Sequence, residues 1–523
     1  MDAFCIGRLR FIRLPPSWVS LQRSSSNKPQ TVNIELAIGA TDDYGTDLQF
    51  DSVDLKLELL DATTLAPVRG VQLRPEGSST SRTPESAQPA TAVFSFSPAQ
   101  GPIHKLKLSL TFLPTFLASN KTPTSLVFAL SVAPAVGEAR RSSSSFTTGP
   151  VASSSTTALR NTIGEPRRPV IKTWDDRKFV LMSLRSGPVE IRIEKEPARV
   201  AQEKVQTAIR TVHLSSNPAF EPQAASPREA AATIAITERP GLNNSTGQRL
   251  WDCAIGLTSF LSQYPSALDP NFAFDGLLEE EEEEEGPDQE HSRPPPAKRA
   301  RQDVTVSSRP RLRGRLRVVE LGAGCALASM VAAKLLSSPS ASGAEQTAAA
   351  TILATDVETT VESTLEENLR ANGLLSSSSS AKKVSDQSWS AKPPPILIDS
   401  AVLDWGRLSD DQLRVVFGHP RQDSRRLNGD AADARDDPAL TILATDVLYN
   451  PESHPLLLAT LLSLLRPTRA RSQDDGSPLP RRALVTYKRR TEGDDGFFPL
   501  AREAGLAVDK VWEWGEVGVW TVT

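Results

Sequence analysis

Cysteine is nearly absent from this chain of 523 residues. The three present, Cys5, Cys253 and Cys325, are too few for a disulfide framework and point to a reducing, intracellular compartment. Histidine is almost as scarce. His104, His213, His291, His419 and His454 are scattered, and no pair has the spacing of metal ligands. A dominant charge is lacking too: a net charge of -4 exerts no global pull toward nucleic acid or a membrane surface. No apolar run spans a bilayer. The strongest helical one, Leu456 to Leu465, falls far short of the roughly 20 residues required. The start, Met1-Asp2-Ala3-Phe4-Cys5, has no signal-peptide core.

What is present is length enough for two to four domains, with 40 prolines and many serine runs, so that part of the chain is not expected to fold. Residues 1–135 read as an all-β, sandwich-like interaction domain. Val32–Ile38 and Val53–Leu59 alternate apolar and polar, and Ala92–Phe96, Lys105–Leu110 and Leu126–Leu130 follow between Pro-rich turns, which argues for an antiparallel sandwich. Residues 136–177 are a Ser/Thr/Arg-rich linker. Residues 178–523 form the second domain. It opens with a hairpin signal, Lys178–Met182 and Val189–Ile193 around Ser186-Gly187-Pro188, and a helix whose apolar stripe runs through Leu250, Trp251, Ala254, Leu257, Phe260 and Leu261. On that stripe alone Trp251 reads as a core anchor.

Residues 266–310 are a disordered insertion. Seven glutamates occupy 279–285, and Lys298-Arg299-Ala300-Arg301 follows. The basic part reads either as a nuclear import signal or as a solvated offset to the acidic part. The core then spans 311–523.

That core is organised around Val318-Val319-Glu320-Leu321-Gly322-Ala323-Gly324, followed by the helix-forming run from Ala326 to Ala333. Strand, tight turn and helix open a βαβ unit. Gly322 and Gly324 leave bare backbone against which a ligand can lie, at the carboxyl end of a strand where open α/β sheets bind ligands. A dinucleotide fingerprint needs a third glycine where Leu327 stands, and it does not place an acid before the first glycine, as Glu320 is placed here. Two later strands share one device: Thr351-Ile352-Leu353-Ala354-Thr355-Asp356 and Thr441-Ile442-Leu443-Ala444-Thr445-Asp446 each end an apolar run in an acid. Seven strand candidates fall between 318 and 523, the last two joined by a short turn and hence antiparallel.

In this order Trp251-Asp252, Glu320-x-Gly322-x-Gly324, Asp356, Asp404-Trp405 and Asp446-Val447-Leu448-Tyr449 resemble the seven-β-strand S-adenosylmethionine (AdoMet) protein-lysine methyltransferases of the methyltransferase-16 group. Gly322-Ala323-Gly324 with Leu327-Ala328-Ser329 is similar to the nuclear methyltransferase-like branch that carries a long N-terminal extension. Tyr487-Lys488-Arg489-Arg490 with Phe497-Phe498 is similar to the family's last strand and helix. The resemblance covers 178–523. It implies an α/β, Rossmann-like seven-stranded sheet, AdoMet as methyl donor without a metal, and methyl transfer to a lysine ε-amine of a non-histone protein. It also implies a monomer in nucleus or cytoplasm, with no membrane and no direct nucleic-acid partner.

By the resemblance, the backbone at Gly322, Ala323 and Gly324, preceded by Glu320, holds the amino-acid end of AdoMet. Asp356 accepts the ribose hydroxyls, or otherwise caps the next helix. Trp405 packs beside adenine, or in the core. Trp251 becomes a cofactor wall, and Thr445 lines the pocket where the family tends to have alanine. Asp446 and Tyr449 face the acceptor lysine, or otherwise belong to a capped helix start with Asn450 and Ser453. The same fold also serves methylation of a small molecule or another side chain, or a non-catalytic AdoMet-binding scaffold. A dehydrogenase is disfavoured by Leu327 and by the lack of a Tyr-x-x-x-Lys pair. Removal of residues 1–135 is expected to leave AdoMet binding intact.

Overall fold

The structure is a computed structural model. It describes residues 5–22, 28–42, 44–76, 90–117, 125–133, 170–172, 178–194, 200–202, 207–214, 233–239, 246–274, 315–337, 350–376, 396–418, 438–466, 479–491 and 493–523. The acidic and basic stretches of 279–301 lie outside these residues.

Period-two patterning in the first third builds strands with one buried face. In Gln30–Thr41, Val32, Ile34 and Leu36 are buried and Asn33 and Glu35 are exposed. Two sheets, of six and nine strands among the described residues, enclose a core that includes Phe11, Phe96, Phe112, Phe128 and Phe179. The expected hairpin over 178–194 is not formed. Lys178–Met182 runs parallel to Cys5–Arg13 in one sheet, and Val189–Glu194 runs parallel to Pro16–Gln22 in the other. Leu184–Ser186 and Val189–Glu194 are separated by Ser125–Val132, which pairs with both. Alternation identifies a strand but carries no information about its partner, so a local pairing was the wrong choice here. The sandwich is also not purely antiparallel, and its pairing extends through Ala208–His213 to Thr233–Glu238, well past residue 135.

The last third carries a seven-stranded sheet. Its strands are β1 (Leu316–Leu321), β2 (Ala350–Asp356), β3 (Ile398–Val402), β4 (Ala439–Thr445), β5 (Arg481–Lys488), β6 (Val508–Trp514) and β7 (Val517–Val522). The spatial order is β3-β2-β1-β4-β5-β7-β6, with β7 antiparallel to both neighbours and β1 to β5 mutually parallel. Every residue of β1 and β4 is buried, as continuous apolar runs covered on both faces require. Helices α1 (Asp252–Gln263), α2 (Leu327–Ser337), α3 (Glu366–Ala371), α4 (Asp410–Phe417), α5 (His454–Leu465) and α6 (Phe497–Glu503) cover the sheet. Gly256 lets α1 sit close on β7: a Cβ there would meet Val517 Cγ1 at 2.6 Å. Strand order reverses between β1 and β4, which makes their carboxyl ends the switch point at which such sheets hold ligands.

The two β systems share a core. Ile6, Met182, Val212, Ile234 and Ile236 of the sandwich are buried with α1 and α2. Thr233–Glu238 ends its sheet, and its free edge is taken up by two asparagines, one in α3 and one at its C-cap. Asn368 Oδ1 accepts from the Thr237 amide at 2.8 Å and Asn372 Oδ1 from the Ala235 amide at 3.0 Å, while their Nδ2 groups donate to the same residues' carbonyls. Edge groups that would otherwise invite another chain are thereby satisfied within the molecule.

Candidate active site

The turn after β1 takes its shape from three residues with positive φ: Gly322 (62°), Gly324 (52°) and Ala326 (61°). A Cβ on Gly322 would lie 3.1 Å from Trp405 Cζ2, and one on Gly324 would lie 3.3 Å from the Gly247 carbonyl oxygen. Glycine is therefore required twice over, by conformation and by space. The Ala323 amide donates to the Thr355 carbonyl at 2.9 Å, which ties the turn to the end of β2.

Asp356 closes the other side. Its Oδ2 accepts from the Gly324 amide at 2.8 Å and its Oδ1 from the Val357 amide at 2.8 Å. Burial raises its carboxyl above the ordinary value, against the pull of those amides and of Thr360. It does not cap the following helix, whose N-cap is Val357. With three donors on its roughly four lone-pair sites, the carboxylate keeps acceptor capacity for one ligand hydroxyl.

Glu320, expected at the ligand, lies instead behind the turn and is wholly buried. Its Oε2 accepts from the Ser329 amide at 2.9 Å, which anchors α2 beneath the glycines. It therefore shapes the turn rather than touching a ligand from the open side. Burial pushes its carboxyl up to about 7, opposed by the Ser329 bonds and helped by the charge of Asp356. An acid that binds its proton more tightly when folded contributes stability that is complete below its unfolded pKa of about 4.3 and lost as pH rises through about 7. Unfolding measured from pH 5 to 8 is thus expected to show falling stability, by on the order of 3 kcal/mol. Glu320→Gln should flatten that slope; an unchanged slope would remove the assignment.

At the end of β4 the backbone bends sharply. Asp446 has φ 59°, uncommon for a residue with a side chain and typical of functional corners. Its carboxylate is held by both terminal nitrogens of Arg490, Oδ2 at 2.7 Å from Nη2 and Oδ1 bonded to Nη1, and Cys253 Sγ donates to Oδ1 at 3.3 Å. The nearby helix start is capped by Asn450, not by Asp446. Trp251 is the N-cap residue of α1 rather than part of its stripe, and its ring lies 5.2 Å from the Arg490 guanidinium carbon. Tyr449 is 49 % exposed. Thr445 is buried, and Trp405 packs partly buried against the β4 side. Gly322, Asp356 and Asp446 thus follow β1, β2 and β4 at one edge of the sheet, with Trp405 and Trp251 beside them.

Residue patterning alone missed Arg490 as the partner of Asp446. It also missed a second buried cluster. Asp252 is bonded to Arg8 of the first strand and, at 3.2 Å, to Lys488 Nζ, which also pairs with Glu516 at 3.0 Å. The available signal was Lys488-Arg489-Arg490 at the end of a buried strand, where Lys488 and Arg490 are buried and so need acids.

Three comparisons bear on this geometry. Residues 229–405 match a family described as lysine methyltransferase; the matched span holds Trp251, the glycine turn, Asp356 and Trp405 and ends before Asp446. No curated protein matches the chain. Among solved structures, a precorrin-6y C5,15-methyltransferase from Geobacter metallireducens is 12% identical, covering 41% of this chain and 82% of its own, at a TM-score of 0.20. A cohesin module from a Clostridium perfringens family 33 glycoside hydrolase is 10% identical, covering 36% of this chain and 99% of its own, at 0.16.

Proposed function

We propose, from a chain whose residues 229–405 match a lysine methyltransferase family, that this methyltransferase moves a methyl group from AdoMet to the ε-amine of a lysine in a non-histone protein of the nucleus or cytoplasm. The observation that carries the reading is the gathering of the glycine turn, Asp356 and Asp446 at one switch-point edge. AdoMet, when bound, supplies an electrophilic methyl on a sulfonium. The residues present fit it. The glycine turn lies at the carboxyl end of β1, where such sheets hold ligands, and is the part of the site for its amino-acid end. Asp356 has acceptor capacity left for a ribose hydroxyl, and Trp405 offers an aromatic face to adenine.

Beyond that pocket, Asp446, Trp251 and Tyr449 provide one acid among aromatic rings. Only a neutral lysine amine attacks, and free lysine has a pKa of about 10.4. Aromatic walls strip water from the side chain and favour its neutral form. On this reading Asp446 orients the amine and draws off its proton. Alignment of the nucleophile supplies most of the rate, and proton transfer a smaller share.

The test is calorimetry with AdoMet alongside a tritiated-AdoMet transfer assay on extract lacking this chain. Asp356→Ala is expected to weaken AdoMet by up to roughly 100-fold, the worth of one strong hydrogen bond to a charged group. Undiminished affinity would remove the ribose assignment.

A further inference from the structure

Tyr44 brings the sandwich to the acceptor edge. Strand Gln30–Thr41 ends in a turn whose shape is set by Asp42: its amide donates to the Thr46 carbonyl at 3.0 Å, and its Oδ1 accepts from the Thr46 amide at 2.9 Å. Gly45, with φ 87°, completes the reversal, and a Thr41–Asp47 bridge closes it. Asp42 is buried, whereas Tyr44 at the tip is 49 % exposed. These bonds brace the base of the turn, and Tyr44 marks a place beyond it.

That place is over the cations of β5 and the loop after it. The Tyr44 ring centre lies 5.8 Å from the Arg490 guanidinium carbon and 5.5 Å from Lys488 Nζ. Arg490 therefore has a ring from each β system close by, Tyr44 from the sandwich and Trp251 from the start of α1, while its two terminal nitrogens hold Asp446. Tyr449, three residues beyond Asp446, is exposed to the same degree as Tyr44. An aromatic ring with one face on a guanidinium and its other parts in water suits the methylene stem of a long cationic side chain.

We propose that Tyr44 is a specificity-determining wall of the acceptor channel, so that the N-terminal sandwich takes part in choosing which lysine-bearing segment reaches Asp446. The proposal rests on the transferase reading above and adds to it a residue from outside the methyltransferase region. Tyr44 acts on the peptide around the lysine and on the lysine stem, because the contacts that place it are with Lys488 and Arg490, the partner of Asp446.

The experiment uses the full chain, tritiated AdoMet and an array of lysine-centred peptides with varied flanking residues. Tyr44→Ala should raise KM for the labelled peptides by roughly 10-fold or alter which peptides are labelled, with the AdoMet Kd unchanged by calorimetry. Tyr44→Phe, which keeps the ring, should restore the wild-type pattern. Labelling by Tyr44→Ala with the wild-type pattern and KM overturns the wall but leaves the transferase reading standing. A loss that Phe does not rescue, or a weakened AdoMet Kd, also overturns it. Absence of labelling by the wild-type chain while AdoMet binds sinks the protein-lysine reading and this proposal together.

Discussion

Arg8→Met is expected to destabilise the whole chain, not only its first strand. Arg8 and Asp252 are 8% and 3% exposed, and Arg8 also donates to the Leu250 carbonyl at 3.0 Å. Removing one member of a buried, hydrogen-bonded pair strands the other and costs roughly 3–5 kcal/mol. Lys488 remains on Asp252 and keeps the loss toward the lower figure. Burial alone would raise the Asp252 carboxyl, but Arg8 and Lys488 outweigh it and hold it below its ordinary 3.8. Its contribution is therefore present at neutral pH and fades as the medium falls below about pH 4. Denaturant unfolding at pH 7 should show the loss as a lower midpoint in one transition, because the sandwich and the seven-stranded sheet share a core. Two separated transitions, with only the first moved, would mean that the two halves stand alone.

Removal of residues 1–135 goes further. It takes away Arg8, the partner strands of Lys178–Met182 and Val189–Glu194, and most of the sandwich core. The shortened chain is therefore expected not to fold, against the expectation that AdoMet binding survives the removal of residues 1–135.

The reason is general. The glycine turn, the two strand-tip acids and the buried runs β1, β2 and β4 are legible in the sequence because each is local: a few consecutive residues carry both the conformation and the chemistry. Asp356 and Asp446 are recognisable as strand ends from their apolar runs alone, and the sheet then sets both strands beside β1 and its turn. Long-range pairing has no such signature. Nothing near Cys5–Arg13 announces a parallel partner some 170 residues later, and Asp252 does not reveal that its cations come from residues 8 and 488. Glu320 shows a related limit. Its spacing from the glycines is correct, but burial decides whether a carboxylate beside a turn faces the ligand or supports the turn from below, and burial belongs to the packed molecule.

Asp446 can be tested where its two roles diverge. As the acid at the acceptor, it should be indispensable to transfer and dispensable to AdoMet binding. As the partner of Arg490, it should matter because a buried guanidinium needs it. Asp446→Ala confounds the two, since it leaves Arg490 beside Trp251 without its carboxylate. Asp446→Asn keeps shape and one acceptor oxygen. It is expected to bind AdoMet within about 3-fold of wild type and to transfer methyl groups roughly 100- to 10,000-fold more slowly, the range attributed to a positioned acid or base. The double variant Asp446→Asn, Arg490→Met then separates the readings. With the cation gone there is nothing left to neutralise, so stability should recover while transfer stays lost, because the amine still lacks its proton acceptor. Recovery of transfer in the double variant would make Asp446 a strut for Arg490 and place the acceptor chemistry elsewhere on the β4 edge.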